Sequence, residues 1–181
     1  MKKSLFILAL AIILTVFCTS CKKNLDDDTL PDGMTLIESK TGDFNFFYPD
    51  EWIVDRNDAM IMVHASKEDA SGVSVTAFAH PRDGMESLEE YLKTTYVSHI
   101  KESVAGVEID ENAFKKSTLS GRDARRIEFV AKSGGKDYRF LQVITENSDG
   151  YIYIITYTSS DSNFKTHLDD VERIISEFKF N

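Results

Sequence analysis

The chain has 181 residues, of which 42% are hydrophobic and 28% charged, with 30 acidic against 21 basic side chains and a formal net charge of −9. That length suits one domain with a sizeable core, and an acidic surface repels phosphate backbones and anionic lipid heads, so neither nucleic-acid binding nor an electrostatic membrane patch is expected. Its two cysteines, Cys18 and Cys21, lie close together near the N-terminus, so the rest of the chain holds no internal disulfide and depends on packing.

The first element is a targeting segment. Lys2 and Lys3 precede an apolar run from Leu5 to Phe17, broken by one threonine. The run has the length of a secretory h-region and falls short of the roughly 20 residues of a membrane-spanning helix. Residues 1–20 are therefore expected to act as a lipoprotein signal peptide. Cys18-Thr19-Ser20 stand directly before Cys21, which resembles the lipobox of bacterial lipoproteins, where the cysteine after the cleavage site takes a diacylglyceryl group and becomes the mature N-terminus. Cys18 occupies the position where leucine is usual. A thioredoxin-type pair would open a helix in a βαβ unit, and a metal site would need a second Cys or His cluster, so neither explains this C-x-x-C spacing. Lipidation of Cys21 is the expectation and ordinary secretory cleavage the alternative; in both, Cys18 leaves with the signal. Losing residues 1–20 removes two lysines and no acid, which takes the net charge from −9 to −11. The membrane is then reached through the lipid, and two acyl chains hold firmly where one binds only marginally.

Residues 21–33 follow as a polar stretch ending in Pro31-Asp32-Gly33. They read as a flexible tether with a reach on the order of 20 Å. Asp26, Asp27 and Asp28 read as a solvated charge run, because calcium requires spaced ligands and a turn glycine at fixed offsets.

Strands begin at Leu36-Ile37. In GDFNFFYPDEWIV, Phe44, Phe46 and Tyr48 share one face of a period-2 pattern, Pro49-Asp50 turns the chain and Trp52 starts the return. Residues 59–66 and 72–80 alternate in the same way, and the four pieces predict an antiparallel meander. Ser87-Leu88-Glu89-Glu90 has the form of a capping box, followed by Leu88, Tyr91, Leu92, Tyr96, His99 and Ile100 along one helical face, with an end near Ser103. Strands are expected at 113–119 and 124–132 around Ser120-Gly121, then at 137–146 after the hairpin signal Gly134-Gly135, and at 151–159 after Asp149-Gly150. The last of these is apolar on both sides, with Tyr151, Tyr153, Ile155 and Tyr157 on one and Ile152 and Ile154 on the other. Such a strand belongs at the centre of a sheet covered on both faces. A closing helix is read from Phe164, Leu168, Val171, Ile175 and Phe178, capped by Asp161 or Ser162.

Strands, a helix, a meander and a terminal helix make an α+β domain over residues 34–181. FNFFYPDEW, SLEEYLKTTY, SGRDARRIEF and YIYIITYTSSDSNFKTHLDDVERIISEFKF, in that order, resemble the PsbP-like family, and the lipoprotein context fits its DcrB-type branch. The resemblance implies an α/β/α sandwich around a central antiparallel sheet. Members of that family assist the oxygen-evolving complex of photosystem II, bind a small GTPase, or have an undefined envelope role, so fold does not transfer function. No motif for manganese, calcium or GTPase binding is matched here.

Candidates for chemistry are sparse. His64 lies in a strand, His80 at a strand end, His99 on the first helix near its apolar face, and His167 one position before the closing helix's apolar stripe, and no two form a metal-ligand pair by spacing. No G-x-S-x-G elbow or P-loop occurs, and Gly134-Gly135 and Ser120-Gly121 serve better as turns. Met60, Met62 and Met85 are possible soft copper ligands, but thioethers without nearby His or Cys usually fill gaps. Tyr151, Tyr153 and Tyr157 could line a concave face, with core packing the simpler account. The expectation is a non-enzymatic, cofactor-free domain in the bacterial cell envelope, anchored through Cys21, that binds a protein partner or supports an envelope assembly. The alternative is a small-ligand or ion binder with a pocket between sheet and helix.

Overall fold

The structure is a computed structural model that describes residues 30–39, 43–56, 60–69, 71–80, 87–148 and 150–181. The signal segment, Cys21, Asp26–Asp28 and Met85 lie outside the described residues. Two antiparallel sheets are present. Strands β1 (Met34–Glu38), β2 (Phe44–Pro49) and β10 (Lys179–Phe180) form a small sheet in the order β1-β2-β10. Strands β3 (Ile53–Arg56), β4 (Ile61–His64), β5 (Gly72–Ala79), β6 (Lys115–Leu119), β7 (Arg122–Ser133), β8 (Lys136–Glu146) and β9 (Tyr151–Ser160) form a seven-stranded sheet in the order β3-β4-β5-β9-β8-β7-β6.

β9 occupies the middle of this sheet, where its two apolar faces require it to be. Tyr153, Ile155 and Tyr157 enter a large core shared with the small sheet and the C-terminal helix α3 (Leu168–Glu177), while Ile152 and Ile154 pack with Tyr91 and Leu92 of the first helix on the other side. The α+β fold, with helices on both faces of a central antiparallel sheet, is thus the one the sequence predicts.

Three local expectations need correction. The N-terminal strands are not one meander. β2 pairs with β1 and β10, and only β3, β4 and β5 run on as a meander in the large sheet. Phe44, Phe46, Phe47 and Tyr48 are all buried, so β2 has two apolar sides. The turn in which the Trp52 amide bonds the Pro49 carbonyl at 2.9 Å then sends the chain to the other sheet.

The first helix has three parts: α1 (Leu88–Tyr91), a π turn (Leu92–Tyr96) and α2 (Val97–Ser103). Ser87 caps it as expected, its hydroxyl accepting from the Glu90 amide at 3.2 Å. The Val97 amide bonds the Leu92 carbonyl, five residues back. That wider turn shifts the buried face by one position, so Leu92 and Val97 are buried and His99 is exposed.

The closing helix starts later than its apolar stripe suggests. Residues 161–167 are turns, and His167 precedes α3 without a side-chain cap, so neither Asp161 nor Ser162 caps it. Phe164 is nonetheless buried, because the hydroxyl of Tyr157 donates to its carbonyl at 3.0 Å and the two rings lie 5.0 Å apart. Leu30, in the stretch read as tether, packs against the large core, and the Arg173 guanidinium donates to the Asp32 carbonyl.

Candidate functional site

Register decides which charges face α3. Arg126 and Glu128 on β7 lie opposite Val143 and Leu141 on β8, both members of the large core, so the two charged side chains emerge on the same side as that core but beyond its edge. Arg139, two residues before Leu141, shares their side. Arg126 meets both carboxylate oxygens of Glu172 on α3, at 2.9 and 2.5 Å. The Glu172 hydrogen bond raises the arginine pKa above its already high value, against the opposing effect of burial. Arg139 donates from Nε to Asp161 at 2.7 Å, and its guanidinium lies 5.6 Å from the centre of the Phe164 ring.

Between these strands and the turns leading into α3 is an open groove of about 520 Å³, lined by Glu128, Arg139, Asp161, Phe164, Lys165 and Leu168. It has an apolar floor piece, Phe164, within a ring of both signs of charge. Next to Leu168 in the chain, His167 has its Nε2 3.0 Å from Asp69, and its ring meets Trp52 edge to face at 5.7 Å.

A second groove of about 360 Å³ lies on the opposite face, lined by Ser87, Leu88, Glu89, Asp123, Arg125 and Glu146. Hydrogen bonds from Lys93 and then Arg125 hold Glu89 well below the usual carboxylate range, at about 2. Behind it His80 sits with Nδ1 at 3.0 Å from Glu146 and its ring 5.0 Å from that of Tyr91, and its buried Nε2 has no hydrogen-bond partner.

The four histidines do not converge. His64 lies opposite Gly72 at one end of β5 and His80 follows Ala79 at the other, a separation of about 26 Å along the strand. His99 points to solvent on α2 and His167 belongs to the α3 side. Among the described residues no three His, Cys, Asp or Glu side chains gather as a metal site, and no helix is long and apolar enough to cross a membrane. Tyr153 and Tyr157 are core residues, while Tyr151 is 44% exposed. The charged groove was not foreseeable by motif. Its Arg139–Asp161 pair joins positions 22 apart and the neighbouring Arg126–Glu172 pair positions 46 apart, and only the alternation of Arg126 and Glu128 on a strand hinted that they share a face.

No curated protein matches the chain. Among solved structures, it is similar to a cyanobacterial PsbP, CyanoP, from Synechocystis sp. PCC 6803, with a TM-score of 0.61 at 13% identity over 84% of this chain and 95% of that one. LpqN of Mycobacterium tuberculosis, described as involved in cell envelope biogenesis, gives 0.55 at 12% identity over 82% and 90%. The Ran-binding protein Mog1p of Saccharomyces cerevisiae gives 0.54 at 9% over 80% and 94%. The chain spans about half, 49%, of a Bacteroides thetaiotaomicron structure that it also matches with a TM-score of 0.54 at 13% identity over 82% of its own length. At these identities the likenesses establish the fold alone. The model of the PsbP-like protein family matches residues 21–180, all but the first twenty residues and the last, and the chain belongs to that family.

Proposed function

We propose that this protein is a lipid-anchored, extracytoplasmic and non-enzymatic domain that binds a protein partner through the groove beside α3. The observation that carries the reading is the groove itself: it is open, and Arg139 and Asp161 pair along one side of it beside the buried Phe164 and the half-buried Leu168. Such a surface offers a partner an apolar contact ringed by charges, whereas a small-ligand site encloses its guest in a mostly apolar cavity. The separation of the histidines supports a role without catalysis, and the envelope role stated for LpqN and the Ran binding stated for Mog1p fit partner binding on this fold. Lipidation at Cys21 follows from the residues before it.

Two experiments test the parts separately. Cys21→Ala should move the protein out of the membrane fraction, and unchanged retention would overturn the anchor. A photo-crosslinking residue at Lys165 should capture a discrete partner in cells while one at the exposed Lys101 does not. Equal capture from both positions, or none from Lys165, would overturn the groove as the docking site.

A further inference from the structure

Met62 and His64 stand on β4, and Met60 directly precedes that strand. Met34 is buried in the large core, whereas Met62 is half-buried and belongs to none of the three hydrophobic clusters. Ile61 and Val63 point from β4 into the large core. By the period-2 rule Met62 and His64 point to the opposite face, and Met60 stands two residues before Met62. The first helix covers that face of the sheet through Phe78, Ile144, Ile152, Ile127 and Phe129, none of them on β3 or β4.

The neighbours of the stripe are small or acidic except for Ile53, which is 39% exposed. Met62 lies opposite Ser74 on β5 and Asp55 on β3, and His64 lies opposite Gly72 and Ile53. The imidazole rests over Gly72: a Cβ there would meet Nδ1 at 3.0 Å. The glycine thus leaves room for the ring to lie down on the sheet. Residues two apart on one strand face have Cα atoms about 6.6 Å apart. An unbranched thioether with three rotatable bonds spans that interval to meet an imidazole nitrogen.

We propose that Met62 and His64, joined by Met60, form a binding site for a soft monovalent cation, Cu(I) or Ag(I), on the outer face of β4. Thioether sulfur selects such ions over Zn(II), Ca(II) or Mg(II), and imidazole is an acceptable second donor. The exposed carboxylate of Asp55 opposite Met62 adds negative charge beside the site. The inference is independent of the anchor and of the groove, which lies on the other face.

The test uses the full chain carrying Cys18→Ser and Cys21→Ser, so that no thiol competes, with Ag(I) alone as the probe. With 13C-labelled methionine methyl groups, NMR should show the Met60 and Met62 signals and the His64 ring signals shifting to saturation at one equivalent, while the Met34 signal stays. Met62→Leu, which conserves volume, and His64→Gln should each weaken the affinity at least tenfold, with circular dichroism confirming that both variants are folded. Unmoved Met60 and Met62 signals at excess Ag(I), or folded variants that bind as tightly as the parent, would overturn the site.

Discussion

His167 and Asp69, 98 positions apart in the chain, meet with Nε2 and Oδ2 3.0 Å apart, and the contact ties the loop between β4 and β5 to the start of α3. Burial alone would raise the Asp69 pKa. Hydrogen bonds from the Ser71 side chain and backbone and from His167, with the attraction of the imidazole charge, outweigh it, and the pKa falls below 3.8. A carboxylate with a depressed pKa contributes stability that is present above the unfolded value of 3.8 and is lost as the pH falls through the folded value. Asp69→Asn should therefore cost about 1 kcal/mol at pH 7, with the difference from the parent shrinking below pH 3.8. Urea unfolding across pH 2 to 7 (roughly the range over which Asp titrates) measures this; a difference that is constant with pH would refute it.

Tyr157→Phe removes the hydroxyl that holds the Phe164 carbonyl at 3.0 Å. The tyrosine is fully buried, so the carbonyl has lost a partner that water does not replace at once. The expected cost is about 1–2 kcal/mol. Amide exchange should quicken in residues 161–167 more than in β9, since those turns have no ladder of their own.

At Gly72 a side chain has no room. A Cβ would stand 2.8 Å from the Val63 carbonyl oxygen, and backbone within a sheet ladder does not yield as a flexible side chain would. Gly72→Ala is expected to destabilise by about 1–3 kcal/mol, read as a lower unfolding midpoint. It should also displace the His64 ring and so reduce Ag(I) affinity in whatever fraction remains folded.

Leu92 anchors the π turn. It is fully buried against Ile144, Ile152 and Ile154, so Leu92→Ala should cost about 2–5 kcal/mol through the cavity it leaves. Lys93→Ala, one position on and exposed, removes only a surface ion pair with Glu89 and should leave the melting temperature nearly unchanged. A thermal melt of the two variants side by side checks the contrast.

Local pattern carried far in this chain because most of its elements are announced by short-range rules. The Ser87 cap, the Ser120-Gly121 and Gly134-Gly135 turns with positive φ, and the two-faced strand β9 each follow from residues a few positions apart. The placement of β9 inside the sheet followed too, since an interior strand covered on both faces buries Ile154 and Ile155 together. Other features were illegible for the same reason in reverse. The π turn that swaps Val97 for His99 on the buried face reflects the fit of a helix to a sheet below it. The late start of α3 reflects the hold of Tyr157 on Phe164.

The sequence by itself determined the order of elements, the α+β class and the family likeness, because these rest on periodicity, turn chemistry and spacing within one segment. Tertiary structure alone decided that β2 leaves the main sheet to pair with β1 and β10, that Arg139 and Asp161 close one side of a groove, and that Ile61 and Val63 take the core side of β4, leaving Met62 and His64 on the other. The physical reason is that strand register and cross-chain ion pairs depend on which surfaces are buried against each other, and that is a property of the whole packed chain.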